Sequence, residues 1–537
     1  GKSTLLHVMI TAGALWYSPD ELEFSLVDFK TGVEFKAYTG GRLPHARAVA
    51  IESDREFGLS VLQRLDDELV RRGDLFRDLG VQSIGAARDA LKSAGKNEAL
   101  PRTMLVIDEF QEIFTEDDKI AQDAGLLLDR LVRQGRAFGM HVFLGSQTLS
   151  GAYSLARSTM GQMAVRIALQ CSETDSYLIL SEDNAAARLL SRPGEAIYND
   201  ANGMVEGNNP FQVCWLPDSE RDAMLERVRT KATETPPVID THTIVFEGNI
   251  PADLADNQEL LASLKPDAQP VRAAKAWVGD PVAIKPPTGA HLRRQAGTNL
   301  IVVGQQEETA RAMLASSMVG LAAQHANKTD HVKVAFLDPT PIDDPEAEAV
   351  ETIVKRLAEP GSLDIAFGRV RALADTLAAF DAERERREAD DSATHAPWYL
   401  FFLGLQRFRD LRQKEDDFSF SFSDGDSDDG AAKPAAQLTA LLRDGPALGL
   451  HVIAWCDTAT SMGRTLDRRA QACFEQRAIL QMSATDSANL IDSPVAGKLG
   501  MNRGLLFNEE QGTLEKFRPY RMPSDDLVVR VAEALRQ

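Results

Sequence analysis

Two kinds of hydrophobic pattern alternate along the first half of the chain. Short apolar runs lie at residues 24–30, 104–110 and 139–147, and each closes on polar residues. Such runs predict strands that are buried on both faces, as in a parallel sheet. Apolar residues at helical spacing lie between and before these runs, for example at positions 5, 8, 9, 12 and 15 and at 57, 61, 65 and 69. The alternation predicts an α/β fold.

The second half of the chain repeats the first. Residues 139–142 (GMHV) return as 449–452 (GLHV), and residues 166–176 return as 477–487. Residues 193–198 have their counterpart at 502–507. Repeated segments in the same order predict two copies of one fold in tandem. The length of 537 residues agrees, because it is too long for a single core.

We therefore predict a first domain at residues 1–216 and a second, related domain at residues 295–537. The segment between them, 217–294, is rich in proline and predicts a linker, followed by a lead-in strand at 277–284. An acidic low-complexity stretch at about 412–433 has no core-forming pattern and predicts a disordered surface loop. An acidic interaction segment is the alternative interpretation.

The first four residues carry recognisable chemistry. Gly1, Lys2, Ser3 and Thr4 are the closing half of the motif G-x-x-x-x-G-K-[ST], and a helical pattern follows them. In that motif backbone N–H groups bind phosphates, the lysine reaches the β- and γ-phosphates, and the serine binds Mg²⁺. The chain begins inside the motif, so we expect it to be part of a longer protein.

Two carboxylates follow a predicted buried strand about a hundred residues later. Four apolar residues lead directly into Asp108 and Glu109. The pair is typical of a Walker B strand, where Asp108 would hold Mg²⁺ and Glu109 would polarise the attacking water. Gln147, after the next apolar run, would sense the γ-phosphate or orient that water. The alternatives are a solvated acidic turn and a glutamine that caps a loop. Both motifs together predict an ATPase that uses ATP and Mg²⁺.

Composition limits the other classes of function. The four cysteines have no C-x-x-C spacing, which disfavours a zinc site or a disulfide framework. No apolar run approaches the roughly 18 residues of a membrane span, so we expect a cytoplasmic protein whose membrane link, if any, lies in segments absent from this sequence. The formal charge of −21 argues against a surface that is basic overall, but it does not exclude a basic pore lining.

Several segments of residues 1–216 together resemble the motor domain of FtsK/SpoIIIE-type ATPases, of the RecA-like class with an additional strand. They are LVDFKTGVEF, LPH, LVIDEF, RQGRAFGMHVFLGSQ, RIALQCSETDSYLIL and PGEAIYND, in the order of the family. The fold class that this implies is two tandem RecA-like P-loop NTPase domains, with mainly parallel central sheets flanked by helices.

The resemblance also implies a function. Family members form homo-oligomeric rings, usually hexamers, that hydrolyse ATP between subunits and pull double-stranded DNA through a pore. Relatives in type VII secretion move protein substrates instead. Arginines that reach the neighbouring subunit's nucleotide are expected near Arg133, Arg136 or Arg166. The winged-helix segment with which some members read DNA sequence does not occur here.

The second copy has lost these motifs. By residue count, Ala310 takes the place of the P-loop lysine. The apolar run at 400–405, which corresponds to the Walker B strand, ends in Gly404 and Leu405 instead of two carboxylates. We therefore predict a structural or regulatory second domain, with weak nucleotide binding as the alternative; Arg477 would still be available to a neighbouring site. The leading prediction is an ATP-driven DNA translocase. A motor that exports proteins and a nucleotide-gated scaffold are the alternatives.

Overall fold

The computed structural model describes residues 1–29, 34–96, 98–149, 157–268, 273–326, 332–390, 395–413 and 429–536. Most of the predicted acidic loop at 412–433 therefore lies outside the described residues. The chain folds into two compact units. The first comprises residues 1–249 and 282–284, and the second comprises residues 250–281 and 285–537.

The first unit alternates helices and strands as the hydrophobic pattern predicts. Its helices are α1 (Lys2–Trp16), α2 (Arg55–Leu79), α3 (Ile84–Ser93), α4 (Lys119–Gln134), α5 (Arg157–Gln162), α6 (Glu173–Ile179) and α7 (Asp218–Glu234). Its strands are β1 (Leu22–Asp28), β2 (Ala46–Ile51), β3 (Arg102–Asp108), β4 (Met140–Gly145), β5 (Arg166–Leu169), β6 (Glu195–Asn199), β7 (Asn208–Gln212) and β8 (Ile244–Glu247).

A parallel sheet in the order β4-β3-β1-β2-β8 forms the centre of this unit. Successive residues of a strand face opposite sides of a sheet. Leu105 and Ile107 accordingly lie in the core shared with α2 and α4, whereas Val106 lies in the core shared with α1 and α7. Both sides are covered, which explains why β3 reads as a continuous apolar run. The remaining strands, β5-β6-β7, form a small antiparallel sheet.

The second unit has the same plan. Its helices are α8 (Gln258–Ser263), α9 (Glu307–Gln324), α10 (Ala349–Ala358), α11 (Leu373–Glu388), α12 (Asp429–Asp444), α13 (Ala459–Thr465), α14 (Arg468–Ala472), α15 (Ala484–Ile491) and α16 (Asp525–Leu535). Its strands are β9 (Ala274–Pro281), β10 (Thr288–Leu292), β11 (Leu300–Val303), β12 (Lys333–Leu337), β13 (Asp364–Gly368), β14 (Trp398–Leu403), β15 (Leu450–Cys456), β16 (Gln476–Ile479), β17 (Gly504–Asn508) and β18 (Thr513–Pro519).

One mixed sheet runs through the second unit in the order β10-β9-β18-β17-β16-β11-β15-β14-β12-β13. Its part from β16 through β11 to β13 is parallel, and the remaining neighbours pair antiparallel. Strand β15 lies between β11 and β14, which is the additional strand that the family resemblance implies. The predicted tandem α/β fold is confirmed.

The proline-rich segment 217–294 is more structured than a linker. Helix α7 and strand β8 belong to the first unit, whereas α8, β9 and β10 belong to the second. Strand β9 overlaps the predicted lead-in strand at 277–284. In the described part of the chain, no helix is both long and apolar enough to cross a membrane.

Candidate functional site

The site is built where α1 begins and where β3 ends. Lys2 is the first residue of α1, and its Nζ lies 2.7 Å from Asp108 Oδ1. The same ammonium also pairs with Glu109 Oε1. Both carboxylates are almost fully buried, while Lys2 is a fifth exposed. The structure therefore brings together the lysine and the carboxylate pair that sequence analysis assigned to two separate motifs.

Glu109 has an unusual backbone conformation. Its φ of 53° lies in the left-handed region, where residues other than glycine are strained. Because Glu109 breaks the strand there, its side chain turns back toward Lys2 at the strand end. Strain of this kind persists where the surrounding structure holds it, often at functional sites.

Three groups hold the Glu109 carboxylate. Besides Lys2, Gln111 Nε2 donates to Glu109 Oε2 at 2.6 Å, and the backbone N–H of Gln147 reaches the same oxygen at 3.4 Å. Burial alone would raise the pKa of Glu109, but the hydrogen bonds from Lys2 and Gln111 outweigh burial and lower that pKa. Glu109 is therefore ionised at neutral pH, as acceptance of a water proton requires.

Ser3 faces a different set of groups. Its Oγ donates to Glu34 Oε1 at 2.8 Å, and Glu34 Oε2 lies 3.3 Å from His7 Nε2. Thr4, one residue further along α1, is half-buried, and Gly1 before the helix is exposed. The predicted phosphate-binding residues thus line the amino end of α1, where the helix dipole favours an anion.

The oxygens present at this site fit Mg²⁺. The ion takes oxygen ligands and usually keeps several waters, so that one or two protein groups are sufficient. Ser3 Oγ and the Asp108 carboxylate are such groups. Space beside Asp108 depends on Gly145, because a Cβ there would lie 2.8 Å from Asp108 Oδ1. Among the described residues, no cluster of three or more His, Cys, Asp or Glu side chains could hold a metal.

The loop after β4 closes one side of the site. Gln147 contributes its backbone N–H to Glu109, whereas its residue as a whole is exposed. Ser146 Oγ donates to Gln111 Oε1 at 2.7 Å, which links the loop to the group that holds Glu109. Gln147 therefore contacts Glu109 through its main chain, and its role as a sensor stays a prediction.

The three candidate arginines have different surroundings. Arg133 is exposed and pairs with Asp129 at 2.8 Å, and Arg136 is exposed without a carboxylate partner among the described residues. Helix α4 begins near the carboxyl edge of the sheet and ends near its amino edge. Arg133 and Arg136, at the end of this helix, therefore lie toward the sheet edge opposite Lys2. Arg166 donates to backbone carbonyls of its own unit, at Met160, Met163, Ile179 and Leu180.

The second unit has different groups at the same place. Asp108 pairs with Gly145 and Leu403 pairs with Trp455, and these partners correspond through the repeat. Leu403 and Gly404 therefore occupy the positions of Asp108 and Glu109, one residue earlier than the sequence count suggested. Gly404 has a φ of 85°, the same left-handed conformation as Glu109.

The start of α9 also differs from the prediction. The helix begins at Glu307, after a loop of three residues that follows β11, so this loop is too short to have the length of G-x-x-x-x-G-K. Ala310, which the residue count placed at the lysine position, is fully buried in the core instead. Glu307 leads the helix and pairs with Arg407, which follows β14, and its Oε1 lies 2.8 Å from Arg311.

Sequence analysis missed four residues around the site. Gln111, Ser146, Glu34 and Asp175 all act through hydrogen bonds that only the folded chain brings together. The sole local signal was the position of Gln111, two residues after Glu109. The others lie far from the residues they contact, so no spacing pattern reveals them.

The residues of this site lie in a segment that matches a known protein family. The model of the FtsK/SpoIIIE family matches residues 1–151, which include Lys2, the carboxylate pair and Gln147. Residues 1–151 belong to the FtsK/SpoIIIE family. The ESX-5 secretion system protein EccC5 of Mycobacterium marinum is 34% identical over 176 residues, which are 32% of this chain and 12% of EccC5.

Two further relatives match longer parts of the chain. The ESX-4 protein EccC4 of Mycobacterium tuberculosis is 26% identical over 370 residues, covering 60% of this chain and 28% of EccC4. The DNA translocase SpoIIIE of Bacillus subtilis is 27% identical over 239 residues, covering 43% of this chain and 29% of SpoIIIE. The chain thus matches only a minor part of each relative's length.

Solved structures share the tandem fold of this chain. The cytoplasmic domain of the type VII secretion ATPase EccC of Thermomonospora curvata has a TM-score of 0.63 at 20% identity, covering 100% of this chain and 62% of that one. ATPases 2 and 3 of the same EccC, in complex with a signal sequence peptide, have a TM-score of 0.55 at 15% identity, covering 98% and 86%. At these identities the likeness establishes the fold alone.

Proposed function

We propose that the first unit binds MgATP and hydrolyses it. The observation that carries the proposal is the convergence of Lys2, Asp108 and Glu109 at the amino end of α1, inside the segment that belongs to the FtsK/SpoIIIE family. Lys2 binds the β- and γ-phosphates, and Ser3 with Asp108 holds Mg²⁺. Glu109 accepts a proton from the attacking water, which the loop at Gln147 orients.

The ion pair between Lys2 and Glu109 gives the site two states. Without nucleotide, Lys2 neutralises two buried carboxylates. When phosphates arrive, Lys2 binds them and its hydrogen bond to Glu109 is lost. The Glu109 carboxylate is then free to bind water while Gln111 still holds its other oxygen. ATP binding thereby prepares the base that hydrolysis requires.

We further propose that this ATPase moves polypeptide substrates, as the alternative prediction stated. The supporting observation is the extent of the likeness to EccC4, which covers 60% of the chain, whereas the first unit holds less than half of it. The likeness therefore continues into the degenerate second unit. A protein partner is also compatible with the acidic charge of −21, which gives no general attraction for DNA.

DNA translocation is the second candidate, and it was the leading prediction from sequence. The observation in its favour is the likeness to SpoIIIE, which covers 43% of the chain. A basic pore lining would reconcile this function with the acidic overall charge.

ATPase measurements on the full-length protein distinguish the two candidates. We expect a synthetic signal-sequence peptide, of the kind bound in the T. curvata EccC complex, to stimulate turnover, and long double-stranded DNA to leave turnover unchanged. Stimulation by DNA that declines steeply over a salt series would instead establish DNA as the substrate. Absence of turnover under all conditions would contradict the proposed ATPase itself.

The chain acts as a homo-oligomeric ring in this proposal, with an arginine that reaches the neighbouring site. Arg136 is the best candidate, because it is exposed and has no carboxylate partner among the described residues. Mixing tests this assignment. Lys2→Ala and Arg136→Ala proteins, each inactive alone, should regain turnover when mixed, since some interfaces then carry both groups. Arg133→Ala is the matched control, and activity of Arg136→Ala alone would exclude the assignment.

A further inference from the structure

A carboxylate outside the site holds the loop that closes it. Asp175 Oδ1 accepts hydrogen bonds from Thr148 Oγ1 at 3.0 Å and from the backbone N–H of Leu149 at 3.2 Å. Its other oxygen accepts from Ser172 Oγ at 2.7 Å, in the first turn of α6. These three donors outweigh the effect of burial and lower the pKa of Asp175, so it is ionised at neutral pH.

The same loop contacts the catalytic carboxylate at its other end. Gln147 N–H reaches Glu109 Oε2 at 3.4 Å, and Ser146 Oγ donates to Gln111 Oε1 at 2.7 Å. Four consecutive residues, 146–149, thus connect Glu109 on one side with Asp175 on the other. The Gln147 N–H lies between these two anchors, so we expect its position to depend on both.

The second unit provides an internal comparison. Its counterpart of Asp175 is Asp486, which repeats the helix cap: Ser483 Oγ donates to Asp486 Oδ2 at 2.8 Å, and the Asp486 N–H donates to Ser483 Oγ at 3.1 Å. The corresponding distances in the first unit are 2.7 and 3.1 Å. The cap is therefore common to both units.

The contact with the loop is not common to both. Thr458 corresponds to Thr148, but it begins α13, where its Oγ1 accepts from the Ser461 N–H at 3.1 Å. Asp486 makes no hydrogen bond to the loop after β15 among the described residues. Both units thus have the helix cap. Among the described residues, only the first unit, which carries Asp108 and Glu109, has the hydrogen bonds from the loop to the aspartate.

We propose that Asp175 is a positioning residue for ATP hydrolysis in the first unit. It holds residues 146–149 so that the Gln147 N–H stays directed at Glu109, and it acts through that loop without touching nucleotide. It also ties the loop to α6, which follows β5 of the small sheet β5-β6-β7. The inference rests on the proposed ATPase function of the same site.

The test compares Asp175→Ala with Asp486→Ala in the full-length protein. Both substitutions remove the hydrogen bond that the N-cap serine, Ser172 or Ser483, donates to the aspartate, but only Asp175→Ala also releases the loop. We expect Asp175→Ala to lower kcat about 10-fold or more with KM for ATP nearly unchanged, because misplacement of a positioned group slows the chemical step. Asp486→Ala should leave both constants within about 2-fold. Asp175→Asn, which keeps an acceptor oxygen, should restore most of kcat.

A second measurement does not depend on turnover. Hydrogen exchange of residues 146–149 should rise in Asp175→Ala, since Leu149 N–H loses its acceptor, and should be unchanged in Asp486→Ala. Equal kcat in the two alanine variants, or unchanged exchange in the loop, would overturn the inference. If Lys2→Ala abolishes turnover while Asp175→Ala does not affect kcat, the positioning role fails and the proposed ATPase stands. A wild-type protein without turnover would contradict the ATPase, whatever the exchange shows.

Discussion

The two units of this chain place opposite charges at the same position of the same fold. In the first unit a cation, Lys2, begins the helix and pairs with carboxylates that follow the strand. In the second unit an anion, Glu307, begins the helix and pairs with the cation Arg407 that follows the strand. Both arrangements connect the helix start to the sheet edge by an ion pair, so the fold itself does not require either polarity.

Only one polarity supports nucleotide chemistry. A phosphate at the start of α9 would meet Glu307, whose charge repels it, and Leu403 offers no oxygen for a metal. In addition, Arg407 lies over the ring of Trp455, whose Nε1 donates to the Gly304 carbonyl at 2.8 Å. Trp455 thus holds the Arg407 end of the ion pair in the second unit. In the function that we propose, the ion pair of the first unit opens when ATP binds.

The largest effect expected from this comparison is that of Lys2→Ala. Removing the charge that binds the β- and γ-phosphates should reduce ATP turnover about 1000-fold. Arg407→Ala removes the cation of the equivalent ion pair in the second unit and should leave turnover within about 2-fold. Phosphate release by the full-length protein measures both. Comparable losses in the two variants would mean that turnover also depends on the ion pair of the second unit.

Glu109→Gln should have the next largest effect. Glutamine keeps the size of the side chain but cannot accept a proton from water, so turnover should fall about 100-fold while ATP binding persists. Equilibrium binding of a fluorescent ATP analogue and phosphate release separate the two steps. Glu307→Gln is the control in the second unit and should change neither. Normal turnover in Glu109→Gln would assign the base to another residue.

Much of this architecture was predictable because it depends on local pattern. Buried strands such as β3 are continuous apolar runs, and the repeat at residues 139–142 and 449–452 identified the tandem fold. The chemistry of Lys2 and Asp108 followed from short motifs. These features need only neighbouring residues, which a sequence displays directly.

The remaining features depend on three-dimensional register. Counting residues from Gly304 placed Ala310 at the lysine position, but the loop after β11 is shorter than a phosphate loop and the helix starts earlier. The left-handed backbone of Glu109 was also invisible, although Gly404 at the same position in the second copy is a signal of it. Loop lengths and backbone conformations of this kind emerge from packing.

Ala310→Lys tests whether a lysine alone can restore a nucleotide site in the second unit. Because Ala310 is fully buried, a lysine there should cost about 3 kcal/mol or more of the stability of the second unit. Tested in a Lys2→Ala background, it should restore no turnover, since the position faces the core and no carboxylates follow β14. Glu308→Lys, at an exposed position on the same helix turn, is the control. Recovered turnover in Ala310→Lys would show that the second site still works.

Tryptophan fluorescence reports the stability of the second unit. Trp277 and Trp455 in that unit are almost fully buried, whereas Trp16 and Trp215 in the first unit are about four-fifths exposed. Unfolding of the second unit therefore dominates the fluorescence change. Urea titrations of the full-length protein then measure the cost of Ala310→Lys without isolating either unit.

The smallest predicted effect concerns a repeated histidine. His451 in β15 is buried and lies 3.1 Å from the Thr298 carbonyl, whereas its counterpart His141 in β4 is exposed. Burial lowers the pKa of His451 to about 4. The unfolded chain binds this proton near the ordinary histidine pKa of about 6.5, so between these values the unfolded state binds more protons. Stability of the second unit should therefore fall as pH decreases from about 6.5 to about 4.

At pH 5 the protonation of His451 should lower the free energy of unfolding of the second unit by about 2 kcal/mol. This value follows from about 1.4 kcal/mol for each pH unit between about 6.5 and 5. Fluorescence-detected urea unfolding at pH 7.5 and pH 5 measures it. His451→Gln should remove most of this dependence, because glutamine can still donate to the Thr298 carbonyl but does not titrate. Burial and the nearby Arg102 and Arg136 also lower the pKa of His141, but His141 lies in the first unit. His141→Gln should therefore leave the acid sensitivity of the second unit intact, because Trp277 and Trp455 report that unit. An unchanged dependence in His451→Gln would show that other groups set the acid sensitivity, and that burying this repeated histidine in only one unit has no consequence for stability.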